Sequence, residues 1–216
     1  MSTVPQIEIG KSPEEPLHVK HRLPLPADTP FGNLSLKYTR IVERLDHVNL
    51  SVQKAFASFD AAKARDFFGG LTEHALLAEE VLYWLRKTAD ELIGLLNVLA
   101  LRESTGSYPG RVDPDSIGAL LGSKHVPPAL TTHLGFLTML NEVANAYKHS
   151  FVNSDLNLIG RDEPIVFALA LKWNNLANPT QFHAVPLRDV VVQFNAFFLS
   201  VVDELRQCKL PHLTCA

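Results

Sequence analysis

The longest run of helical spacing in the chain lies between Leu71 and about Arg102, where Leu77, Val81, Leu85, Ala89, Leu92, Leu96 and Leu99 recur at steps of three and four. Such a row collects its apolar side chains on one face of a helix, and that face must be covered by other elements. Arg86 with Asp90 and Lys87 with Glu91 stand one turn apart on this helix and support it by about a few tenths of a kcal/mol each. They read as a solvated face or as the border of a cleft. The most apolar part, Leu92 to Leu101, is interrupted by Asn97 and falls short of the roughly 18 residues that a membrane span needs. It reads as a buried helix, and no membrane association is expected.

Three further helices are predicted by the same periodicity. The first is capped by Asn33 and carries Leu34, Tyr38, Ile41, Leu45, Val48 and Val52 to about Phe59. The segment Ala61 to Gly70 can add a turn before Gly69 and Gly70 break it. Another opens at Pro127 and Pro128 and runs to His149, with Leu130, Leu134, Leu137, Leu140, Ala144 and Tyr147 on its apolar side. The last runs from about Leu187 to Gln207 through Val190, Val191, Phe194, Phe198, Val201 and Leu205. Between the long helices, Ser104 to Arg111 is a loop. Asp113 and Pro114 read as the cap and first position of a short helix reaching about Leu121. Ile165, Val166, Phe167, Leu169 and Leu171 suit a strand that returns, after turn chemistry from Asn174 to Pro179, at Gln181 to Val185. The predicted fold is mainly α, a four-to-five-helix bundle with one small β-hairpin before the last helix.

That bundle occupies residues 33 to 207. Ahead of it, residues 1 to 32 carry Pro5, Pro13, Pro16, Pro24, Pro26 and Pro30, which fix φ and remove backbone donors, so an extended arm is expected, either disordered or laid across the domain or a partner. Behind it, residues 208 to 216 form a short tail whose Cys208 and Cys215 read as two reduced thiols. The N-terminus lacks the apolar segment of a secretory signal, so a cytoplasmic location is expected.

With 20 basic and 23 acidic residues the net charge is −3, which supplies no global field for nucleic acid phosphates. DNA binding is not expected, and any RNA contact must be local. P-loop, dinucleotide-binding, nucleophile-elbow and His-Glu-x-x-His patterns are missing from the sequence, and the nine histidines are scattered, so no cofactor and no metal are called for. Trp84 and Trp173 read as core or edge-of-core aromatics, because basic residues are not interleaved with them.

One stretch concentrates chemistry: Leu140-Asn141-Glu142-Val143-Ala144-Asn145-Ala146-Tyr147-Lys148-His149-Ser150. Glu142, Asn145 and His149 share one stripe of the helix, extended a turn by Thr138. Lys148 and His149 stand where the helix dipole favours cations. The bland reading is an ordinary helix end facing water. The alternative is a site, with the carboxylate, amide, ammonium and imidazole lining an enclosed crevice.

At these residues the chain resembles the HEPN-like superfamily, bundles of four or five helices whose ribonuclease members carry an arginine, a polar residue often asparagine, three variable residues and a histidine near the end of the third main helix. The matching string is Ala144-Asn145-Ala146-Tyr147-Lys148-His149: Asn145 and His149 fit, and Ala144 occupies the arginine position. The opening of the long helix, Val81-Leu82-Tyr83-Trp84-Leu85-Arg86, is also similar to bacterial members. The resemblance implies a homodimer, a setting in bacterial defence or stress regulation, and a histidine and arginine acting together on an RNA phosphodiester. Loss of the arginine removes the electrostatic stabilisation such a mechanism depends on. The favoured expectation is therefore a catalytically degenerate or divergent homodimeric module binding RNA, a nucleotide or a protein. The first alternative is a metal-independent ribonuclease using Asn145, Lys148 and His149, with Asn141 or Glu142 orienting the imidazole. The second is a helical scaffold without a site.

Overall fold

The computed structural model describes residues 3–12, 14–64, 73–124, 126–149, 162–171, 175 and 177–207. Cys208, Cys215, Trp173 and His125 lie outside the described residues.

Helix α1 (Leu34–Ala64) starts where Asn33 Oδ1 accepts the Leu36 N–H at 2.8 Å, the expected cap. It packs against α2 (Glu73–Thr105), the helix of the long apolar row. The pairing is antiparallel: Arg44 meets Thr88 and Glu91, His47 meets Glu80, and Ser58 meets Glu73, so partner numbers fall as α1 advances. Leu85, Ala89, Leu92 and Leu99 on α2, and Ile41, Leu45, Val48 and Val52 on α1, are buried in the common core. The two i,i+4 pairs expected on α2 form, Arg86–Asp90 at 3.2 Å and Lys87–Glu91 at 3.9 Å.

The short helix α3 (Ile117–Leu121) begins later than the sequence predicts. Its cap is Ser116, which accepts the Ala119 N–H, and Asp90 takes the Ile117 N–H at 2.8 Å. Pro114 is buried ahead of it, after a cis Asp113–Pro114 bond. The loop comes so close to α2 that a Cβ at Gly94 would lie 3.1 Å from Val112 Cγ1.

The helix expected from Pro127 to His149 is divided into α4 (Pro128–Thr131) and α5 (Leu134–His149). Spacing alone cannot show this break, because Leu130, Leu134 and Leu137 keep helical steps across it. At the junction the His133 ring lies 2.9 Å from Ser200 Oγ and meets Phe197 edge-on. A long-range anchor thus holds the turn.

The hairpin forms as predicted, β1 (Ile165–Ala170) antiparallel to β2 (Gln181–Pro186) with Phe167 opposite Ala184. It leads into α6 (Leu187–Gln207), whose Phe194, Phe197 and Phe198 are among the largest fully buried side chains. The described chain is thus mainly α, with a single two-stranded hairpin before the last helix. No helix among the described residues is long and apolar enough to cross a membrane.

The proline-rich arm is laid across the bundle. Pro5, Ile7 and Ile9 are buried while Gln6 and Glu8 are exposed, a strand-like alternation without a sheet. Side chains replace the missing ladder. Asn49 of α1 accepts the Ile7 N–H at 2.7 Å and donates to the Ile7 carbonyl at 2.9 Å. Asn195 of α6 accepts the Glu8 N–H at 2.7 Å, and Arg188 donates to the Thr3 carbonyl at 2.7 Å. The arm then makes one 3-10 turn, Val19–His21, and Leu25 joins the core.

Candidate functional site

The C-terminal half of α5 carries the polar row. Val143 and Ala146 are buried on its apolar side, and this fixes the rotation of the helix. Asn141, Glu142, Ala144 and Asn145 are consequently half-buried, and Lys148 and His149 are exposed. The enclosed crevice expected around the imidazole is not seen among the described residues, where His149 is exposed in the last turn of α5.

Two neighbouring elements supply partners that the spacing could not reveal. From α2, Arg86 Nη2 donates to Asn141 Oδ1 at 3.3 Å while its Nη1 pairs with Asp90. Arg86 Nε is buried without a hydrogen-bond partner among the described residues. Burial pushes the Asp90 carboxyl up, against the opposing pull of the Ile117 N–H and Arg86. This cluster ties α2, α3 and α5 together.

From β2, Gln181 Nε2 donates to Glu142 Oε2 at 3.4 Å, and the buried His183 has its Nε2 3.7 Å from the same oxygen. Tyr147 donates its hydroxyl proton to the Phe167 carbonyl at 2.8 Å, fixing the hairpin to α5. Asn141 and Glu142 are thereby held towards α2 and the hairpin respectively. Of the five candidate residues, Asn145, Lys148 and His149 share the outer part of the row, and the other two face neighbouring elements.

Chemically, the row presents an amide, a carboxylate, an ammonium and an imidazole, with a guanidinium at its inner end. His183 was visible in the sequence only as one of nine scattered histidines; its inward position follows from strand alternation with Val185. Arg86 was legible as half of an i,i+4 pair and as the end of the segment that opens the long helix, and its reach to Asn141 was not.

Trp84 is half-buried against the core, as its reading as an edge-of-core aromatic requires. A cation reaches its ring from α1: the Arg44 guanidinium lies 5.5 Å from the Trp84 ring centroid and forks onto Glu91 at 3.0 and 3.5 Å.

In comparisons with known proteins, no family model, no curated protein and no solved structure matches the chain.

Proposed function

We propose that this chain is a catalytically silent HEPN-like module that works as a homodimer and binds RNA through the outer end of α5, in a bacterial defence or stress setting. The observation that carries the reading is the occupancy of the row. The position that the resemblance assigns to a catalytic arginine holds the half-buried Ala144, while Lys148 and His149 are exposed one turn further on. The guanidinium that reaches the row from α2, that of Arg86, is engaged by Asp90 and Asn141 at the inner end, two turns from His149. An RNA backbone can be met by the ammonium, the amide and the imidazole. In-line cleavage lacks a cation at the motif position.

Binding of a fluorescent single-stranded RNA, titrated against salt, tests this reading. Lys148→Ala is expected to weaken binding about uniformly across sequences and to lower the salt slope by about one. Incubation of the protein with mixed RNA in EDTA is expected to leave the RNA intact. Cleavage that disappears in His149→Ala would select the ribonuclease instead, and wild-type protein that neither binds nor cuts RNA would remove both readings.

A further inference from the structure

Residues 3–11 sit in the fold as a peptide sits in a groove. On α6, Thr3 meets Arg188 and Glu8 meets Asn195; on α1, Ile7 meets Asn49 and Lys11 meets Asp46. Partner numbers rise along α6 and fall along α1, so the segment runs down the seam between the two helices. Its apolar side chains face inward, Ile7 being 1% and Ile9 6% exposed.

The walls of this seam address main chain more than side chain. Asn49 accepts from the Ile7 N–H and donates to the Ile7 carbonyl, Asn195 accepts from the Glu8 N–H, and Arg188 donates to the Thr3 carbonyl. Any extended backbone offers these groups. Arg188 is held by groups outside the segment, pairing with Glu163 at 2.9 Å and lying 5.3 Å from the Phe56 ring centroid. Side-chain selection comes from three features. The apolar residues stand at alternate positions, the Glu8 carboxylate between them accepts from Asn195 Nδ2 at 2.9 Å, and the Lys11 ammonium lies 2.9 Å from Asp46 with its side chain only 4% exposed.

Two observations mark the segment as exchangeable. Gly10 has a φ of 84°, in the left-handed region that favours glycine, and Leu25 is anchored in the core further on. Residues 3–9 can therefore lift about Gly10 while the rest of the arm stays seated. The segment also does not fill its bed: an open groove of about 270 Å³ remains beside Gln6 and Ile9, lined from α1 by Asp46, Asn49, Leu50 and Gln53.

We infer that the seam between α1 and α6 is a receptor groove for an extended segment of another protein, and that residues 3–11 occupy it as a tethered stand-in. The partner segment carries apolar residues two apart, the second larger than isoleucine, with a carboxylate between them and a basic residue two positions beyond. Its N-terminal end lies at Arg188 and its basic residue at Asp46. Exchange puts one extended segment in the place of another, so the apolar walls stay covered. RNA binding at the end of α5 is not needed for it.

Hydrogen exchange of the full chain, with and without a synthetic peptide of residues 3–11, is the test. Tethering gives the arm an effective concentration of about millimolar, so peptide at a few times that level should displace it and speed exchange of the chain's own residues 6–9 severalfold. The same peptide with Ile9→Phe, whose ring enters the open groove, should act at a lower concentration. In the full chain carrying Ile7→Asp, which unseats the arm and keeps the clamps, a fluorescein-labelled peptide should bind at least about tenfold more tightly than to wild type. Asn49→Ala or Asn195→Ala in that chain should weaken it. Should Ile7→Asp fail to fold, the wild-type exchange measurement decides alone. Exchange of residues 6–9 that excess peptide leaves unchanged would overturn the inference and make the arm a permanent wall of the core. Binding indifferent to Asn49 and Asn195, or an Ile9→Phe peptide weaker than the native sequence, would overturn it too. So would light scattering that shows a dimer turned into a monomer by Ile7→Asp, since the occupant would then be the arm of a second copy.

Discussion

Asn49 and Asn141 are both half-buried asparagines on core helices, and they do different work. Asn49 closes two bonds on one backbone residue, accepting from the Ile7 N–H and donating to the Ile7 carbonyl. Asn141 accepts from Arg86, a side chain that is itself shared with Asp90. The first arrangement turns a proline-rich segment with little intrinsic structure into a fixed part of the core. The second joins three helices beside a polar row whose last members, Lys148 and His149, are exposed. Order in the arm thus comes from the receiving helices, whereas at the end of α5 the helix is already formed and Lys148 and His149 are exposed in its last turn. A polar residue's spacing gives its face; what it meets there depends on elements far away in sequence.

The largest test of this contrast is Ile7→Ala. Ile7 is 1% exposed and sits in the core, so its truncation should cost about 2–5 kcal/mol in urea unfolding. A loss below about 0.5 kcal/mol would mean that the arm is draped over the bundle and contributes nothing to it. Asn49→Ala comes next. It leaves the Ile7 N–H and carbonyl without their partner, at a cost of about 1–3 kcal/mol, and should make amides of residues 5–9 exchange faster than those of α2.

The pH dependence sharpens the comparison from another side. Burial lowers the pKa of His133 and of His74 from the ordinary 6.5. A base whose folded pKa is depressed takes up protons more readily when unfolded. Its contribution is therefore present above the unfolded pKa of 6.5 and is lost as pH falls towards the folded value. Thermal stability should decline as the pH is lowered below about 6.5, and His133→Gln should flatten that decline. An unaltered slope in the variant would show that the His133 anchor at the α4–α5 junction is not the group responsible.

These residues also show how far the sequence could be read. The long helices were legible because each buries a wide face whose periodicity survives over several turns, as at Leu85, Leu92 and Leu99. The junction at Thr132 and His133 was hidden because apolar steps continue through it and its anchor, Ser200, is 67 residues away. The order of the arm was hidden for a similar reason. Alternation at Pro5, Ile7 and Ile9 is too short to declare a strand, and the side chains that fix it belong to α1 and α6. At the candidate site, the spacing of Glu142, Asn145 and His149 was readable. The reach of Arg86, Gln181 and His183 towards that helix required the fold.

The smallest stability effect is expected where the functional effect is largest. Lys148 is exposed in the last turn of α5, and its side chain is not part of the core, so Lys148→Ala should change unfolding free energy by less than about 0.5 kcal/mol. Tyr147→Phe, one residue earlier, removes the bond to the Phe167 carbonyl and should cost about 1 kcal/mol while leaving the exposed row in place. The two neighbours therefore predict opposite patterns: Lys148→Ala weakens RNA binding with stability unchanged, and Tyr147→Phe lowers stability with binding unchanged. If both variants lost stability and binding together, the end of α5 would be a structural corner tied to the hairpin, and the difference drawn between it and the arm would disappear.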